Sequence, residues 1–183
     1  MAGDPSNAAI WADADVYVGP LDAQDPADID SPFPAAWALV GLLDGGDGFG
    51  ETPEWGEDAD HFAWGGGLVA STKSKFKLTR KFSVLEDNPT TRKLIWPGSD
   101  STKIVVPKPE PVKLGFELRK FGRKKRRITK NYALVSVDGD ITETETDLAK
   151  VSLVSTIFPD GNGVLFVPQD TLTFEDEDDE PED

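Results

Sequence analysis

The sequence predicts an all-β fold: a sandwich or barrel of two packed sheets with one short flanking α-helix, long loops and a disordered acidic C-terminal tail. Three observations predict it. Apolar and polar residues alternate with period two, most clearly in "FKLTRKFSVL" and "VKLGFELR". The candidate strands are rich in β-branched and aromatic residues. Clusters of Gly, Pro and Asp separate them, as tight turns require.

Taken in order, residues 1–8 form an N-terminal arm, residues 9–168 a single β domain and residues 169–183 an acidic tail. "DVYVG" (15–19) alternates, and "AWALVGLL" (36–43) is a short apolar run closed by a Gly-rich loop. Over residues 71–85, Phe76, Leu78, Phe82 and Val84 share one face, interrupted by Arg80, and lysines fill the other. "LEDNPTTRKLIWPG" predicts a helix over about 88–96, with Asp87 or Asn88 as N-cap, Pro89 at its first position and Pro97-Gly98 as its stop. So short a helix must dock on the sheets, through Leu94, Ile95 or Trp96. Strands follow at 112–119, 128–137, 149–158 and 163–167. The expected core comprises Val16, Val18, Leu39, Phe76, Leu78, Phe82, Val84, Leu114, Phe116, Leu118, Leu134, Val151, Leu153 and Ile157.

Two loops are long. Residues 20–35 hold four Pro and four Asp. Residues 44–67 hold eight Gly, seven acids and the aromatic residues Trp55, Phe62 and Trp64, which need a surface to cover. Both are expected to project from the domain.

Charge is segregated. Of 34 acids, fourteen lie in residues 1–70, which contain no Lys or Arg; eighteen of the 19 bases lie in residues 71–130. A monomer could neutralise itself by folding these halves together, and an oligomer by setting one subunit's acids on another's bases. The formal net charge of −15 repels nucleic acid unless a local patch overrides it.

The residues exclude several chemistries. There is no Cys, and His61 is the lone His, so neither a thiol–imidazole pair nor a His-rich zinc site can be built. No nucleophile elbow or phosphate-binding Gly loop is present. "DGGDGFGE", "DGDITE" and "PDGNG" lack EF-hand spacing and read as turns. We assign no catalytic residue, metal site or cofactor. No run of eighteen apolar residues predicts a membrane span, and the N-terminus lacks the pattern of a secretory signal; cytoplasmic synthesis is expected.

"FGRKKRRITK" (121–130) is the most basic stretch, set on a hairpin spanning 112–135. Three readings stand for Arg123, Lys124, Lys125, Arg126 and Arg127: a solvated edge that blocks strand pairing, a grip on the acidic surface of a neighbouring subunit, or a nucleic-acid contact. Only Phe121 lies beside them as a stacking aromatic, which disfavours the third.

The order of several segments resembles the major tail proteins, or tail tube subunits, of long-tailed phages of actinobacteria. The resemblance rests on "NAAIWADADVYVGP", "WALVGLLDGGDGFGETPEWGEDADHFAWGGGLV", "KFKLTRKFSVLEDNP" and "STIFPDGNGVLF", and covers roughly residues 7–168. It implies a two-sheet β domain whose copies close into hexameric rings. The rings stack around a tape-measure protein, with tail-tip and terminator proteins at the ends, and DNA passes down the lumen without sequence-specific contact. It implies a place in the virion, no membrane contact, and projecting loops that bridge rings. Arg123, Lys124, Lys125, Arg126 and Arg127, with Trp55, Asp58, Asp60, Phe62 and Trp64, are then candidate subunit-interface residues, the basic run facing away from the bore towards an acidic partner surface. Two other readings remain: another virion β-protein, of the head–tail joining or capsid-decorating kind, and a nucleic-acid-binding β domain using residues 123–127.

Overall fold

The computed structural model describes residues 9–171; the expected N-terminal arm and residues 172–183 of the expected acidic tail lie outside the described residues. The fold is an antiparallel two-sheet sandwich with one helix. The strands are β1 (Asp13–Gly19), β2 (Ala38–Leu39), β3 (Gly50–Glu54), β4 (Ala59–Phe62), β5 (Leu68–Thr72), β6 (Lys77–Val84), β7 (Pro111–Lys120), β8 (Arg123–Thr129), β9 (Tyr132–Val137), β10 (Val151–Phe158) and β11 (Phe166–Asp170). Helix α1 (Pro89–Ile95) lies between β6 and β7.

Strand β7 joins the two layers. Its first residues, Pro111 and Val112, pair with β9 in the layer β3-β6-β10-β9. The rest of it pairs with β1 on one side and β8 on the other, in the layer that β11 completes beyond β8. Inward side chains of both layers form one core: Val16, Leu114 and Phe116 from the first meet Leu78, Phe82, Val84, Val135, Leu153 and Ile157 from the second. Phe116 sits at its centre, edge-on to Phe49, Phe82 and Phe166 with ring centroids 5.4–6.4 Å apart.

The helix follows its sequence signals. Asn88 is the N-cap, its Oδ1 accepting from the N–H groups of Thr90 and Thr91 at 2.9 Å. Leu94 and Ile95 are buried and Trp96 packs on the core, so the seven-residue helix is held by docking.

Five expectations need correction. Residues 71–85 are not one strand: β5 ends at Thr72 and β6 begins at Lys77, with Lys75 between them at φ 59°. Residues 128–137 are not one strand either; β8 and β9 lie in different layers, and the chain changes layer at Lys130-Asn131. In β9 the inward residues are therefore Ala133 and Val135, and Leu134 is only half-buried. Leu39 and Phe76 are exposed, Leu39 on a two-residue strand and Phe76 against Trp55 outside the core, while Val18, Leu118 and Val151 are half-buried. The last strand is β11, at 166–170 rather than 163–167, so Gln169 and Asp170 belong to the sheet and not to a tail.

Truncating Phe116 to Ala is expected to lower stability by about 3–5 kcal/mol in urea unfolding, because four aromatic or guanidinium neighbours lose their contact.

Candidate functional site

The basic run 123–127, expected on a hairpin tip and the first rungs of its return strand, lies wholly on the return strand. The tip is Phe121-Gly122, and residues 123–127 form the body of β8, flanked by β7 and β11. A strand so placed sends alternate side chains to opposite faces. Arg123, Lys125 and Arg127 share the interior face with Thr129, opposite Leu118 and Phe116 of β7; Lys124, Arg126 and Ile128 share the outer face.

The outer face is covered by residues 20–37. This segment does not project, as expected of a long loop, but lies as a strap across β1, β7 and β8. Phe33 stacks on Tyr17 at 4.0 Å and lies over Gly115, where a Cβ would come within 2.5 Å of its ring. Trp37 is buried, its Nε1–H donating to Gln24 O at 2.9 Å. Lys113 donates to Ala23 O at 3.2 Å and pairs with Asp25. Lys124 pairs with Asp30 at 3.2 Å.

Arg126 is the centre of this contact. It is 3% exposed. Its five N–H donors all find acceptors: Nε and Nη2 donate to Glu117 Oε2 at 2.8 and 2.5 Å, Nη1 to Asp28 O and Gln169 Oε1, and Nη2 also to Ser31 O. Its guanidinium lies 4.6 Å from the Phe33 ring centroid. Gln169 extends the network, donating to Pro26 O. Beside it, Arg119 gathers Asp13, Asp15 and Glu117 at 2.6–2.7 Å. The Arg119 hydrogen bond holds the Asp13 carboxyl below its ordinary value, and hydrogen bonds from Ser31 do the same for Asp28.

On the interior face a second arginine enters the sandwich. Arg80, on β6, is 5% exposed, with its guanidinium 4.3 Å from the Phe116 centroid and 5.1 Å from that of Phe49. Burial lowers its pKa to about 10, so it remains charged at neutral pH. Glu51 holds both Arg80 Nη1 and Arg127 Nη1 at 2.8 Å. Arg123 pairs with Asp170 at 3.3 Å.

The acidic surface expected to meet residues 123–127 on a neighbouring molecule is thus supplied, for four of the five, within the chain. Buried Arg126 is not presented to any partner. The Lys125 side chain alone of the five forms no hydrogen bond or ion pair with a described residue.

The other candidates lie elsewhere. Residues 44–67 are not a loop but carry β3 and β4, and β4 pairs with β5 as a separate two-stranded sheet. The result is an arm that continues β3 and β6 beyond the sandwich, joined to it through the Trp55–Phe76 contact at 4.8 Å and the Gly56 N–H to Ser74 O bond. Every residue from 57 to 77 is exposed. Trp64 at the tip is fully exposed, and Phe62, Leu68, Val69 and Trp55 are more than half exposed. Asp58 and Asp60 lie on the same arm with no ion pair among the described residues. The candidates therefore divide into a neutralised strand and a naked arm. Glu117, Phe33 and the strap acids carry no signal in the sequence; Arg80 is visible there only as a cation in the inward register of an alternating strand.

Asp44 Oδ1 accepts from Gly46 N–H and Asp160 Oδ1 from Asn162 N–H, so these Asp-Gly stretches act as turns. Among the described residues no group of three or more His, Cys, Asp or Glu is placed to hold a metal ion. Compared with known proteins, the chain matches no family model and no curated protein significantly.

Gly115→Ala is expected to cost about 1–3 kcal/mol and to loosen the strap, read as increased solvent quenching of tryptophan emission, because the new methyl displaces Phe33. Acid should act on the same contact. The native values of Asp13 and Asp28 lie below the ordinary 3.8, so the stability they add is present above about pH 4. It is lost as the pH falls through those lowered values; melting temperature should be level from pH 7 to 5 and fall by pH 3.

Proposed function

We propose that the chain is a structural subunit that assembles with copies of itself, of the tail-tube type: rings, hexameric in that type, stacked into the virion conduit through which DNA is delivered. The observation that carries this reading is the β4–β5 arm. A two-stranded ribbon with Phe62, Trp64, Leu68 and Val69 in solvent gathers exposed apolar side chains on one short element, and contiguous apolar surface marks interaction sites. A ribbon alone is marginal in water and gains stability by laying its apolar side chains on another surface. The arm thus supplies a projecting contact of the kind stacked rings need in addition to the contact that closes each ring.

The strong acidity supports a conduit. A wall carrying net negative charge repels phosphate, so DNA slides rather than sticks. The committed arginines of β8 speak against the nucleic-acid reading, since Arg126, Arg127 and Arg123 already hold carboxylates of the chain. In this proposal the partners are other copies, a tape-measure protein and the tail-tip and terminator proteins. No catalytic role is proposed. Another virion β-protein, of the joining or decorating kind, shares the same arm logic and differs in the assembled shape.

Electron microscopy of the purified protein, with solution mass at the same concentration, tests the reading. Hollow tubes or stacked rings with a central bore are expected; a monomer that binds duplex DNA at physiological salt would overturn it. Changing Phe62 and Trp64 together to Ser should leave melting within the range of surface substitutions, about ±0.5 kcal/mol, while abolishing tubes. Normal tubes from that variant would remove the arm from the interface.

A further inference from the structure

The interior face of β8 has more positive charge than the described residues around it balance. Between the layers, beside Lys125 and Arg127, lies an open cleft of about 700 Å³, lined also by Trp11, Phe49, Glu51 and Arg80. Its acids are engaged. Asp13 and Asp15 serve Arg119, Asp44 serves Lys150, and Glu86 accepts from Leu42 N–H. That leaves Glu51 as one carboxylate for three cations: it binds Arg80 and Arg127, and nothing described binds Lys125. The Arg80 Nε–H is buried with no acceptor among the described residues. A desolvated cation without a counter-charge is costly, and an unsatisfied buried donor adds to that cost. The Lys125 amine is held below its ordinary value first by burial and then by Arg127, while Asp170, already paired with Arg123, pulls the other way.

We propose that Arg80, Lys125 and Arg127 form an anion site for carboxylates, and that its occupant is the acidic stretch at residues 175–183 of the same chain. Position and charge both favour this source. Strand β11 runs antiparallel to β8 with Asp170 opposite Lys125, and the N–H of Thr171 donates to Lys124 O at 3.1 Å. The chain therefore leaves the sheet beside the cleft. The next twelve residues carry eight acids and no base, beginning at Glu175. At about 3.3 Å per residue, the four-residue step from Thr171 to the first of these acids spans at most roughly 13 Å. A tether this short gives an effective concentration of order millimolar, and several carboxylates on one chain can meet the three cations together, which a single monovalent anion cannot. Docked carboxylates would complete the shell of Lys125 and supply the counter-charge that Glu51 cannot provide alone.

The test is the rate at which Lys125 is acetylated by an amine-reactive ester at neutral pH, followed by peptide mass spectrometry. The full chain is compared with a chain shortened to end at Thr171, each at low and at high salt. Lys113 and Lys150, paired with Asp25 and with Asp44 and Asp47, serve as internal controls of the fold. Without the acidic stretch Lys125 is expected to react about tenfold faster, because its amine loses the carboxylates that favour its protonated form. High salt should close the gap. Equal Lys125 rates in the two chains, with both controls unchanged, overturn the proposal. Protection that disappears on dilution at constant salt also overturns it, since the anion would then come from a second copy. If shortening also speeds Lys113 and Lys150, the same comparison is made with a full-length chain whose eight acids are changed to Gln and Asn, and the same two outcomes apply.

Discussion

The structure turns on the need to place a cationic strand inside a β-sandwich. Strand β8 carries five consecutive Lys and Arg residues yet lies between two neighbours in a sheet, with Arg126 almost wholly buried. Burying a guanidinium is unfavourable unless its charge is paired and its donors are satisfied. Glu117, directly opposite on β7, supplies the charge, and backbone carbonyls of the 20–37 segment with Gln169 supply the rest. The path of that segment, the glycine at 115 beneath Phe33, and the pairing of β11 all follow from closing this one shell.

The segregation of charge along the chain thereby acquires a physical meaning. The acids of residues 13–51 and the bases of residues 80–127 meet across the outer face and at the rim of the core. The chain folds its halves together, the first of the two solutions its composition allowed. A functional consequence follows. Cations held by the chain's own carboxylates offer little to phosphate, whereas the arm beyond β3 and β6 exposes apolar side chains. The arm is the contact the proposed assembly would use, and four of the five cations in the most basic stretch are held within the fold.

Much of the architecture was legible. The alternation of Leu114, Phe116 and Leu118, or of Leu78, Phe82 and Val84, reports a strand against a core, and Asn88-Pro89 reports a helix start. Three features were hidden for identifiable reasons. The change of layer at Lys130-Asn131 leaves no trace because both layers demand the same β-branched residues. The arm has no hydrophobic period because both its faces are exposed, so its pairing is carried by backbone hydrogen bonds that composition does not report. The strap meets β7 and β8 across ninety or so residues of sequence, and no local pattern encodes which Asp finds which cation. Arg80 was visible as an interruption; that it stays inward, stacked on Phe116, depends on Glu51 arriving from a segment that reads as loop.

The measurement closest to the central claim is a double-mutant cycle in urea on Glu117→Gln and Arg126→Met. Each single change strands a buried charge and is predicted to cost about 3–5 kcal/mol, while the double variant removes both charges and should lose at least about 2 kcal/mol less than the sum. Additive losses, within about 0.5 kcal/mol, would mean that the two side chains do not depend on one another and that β8 is not held by the chain's own acids.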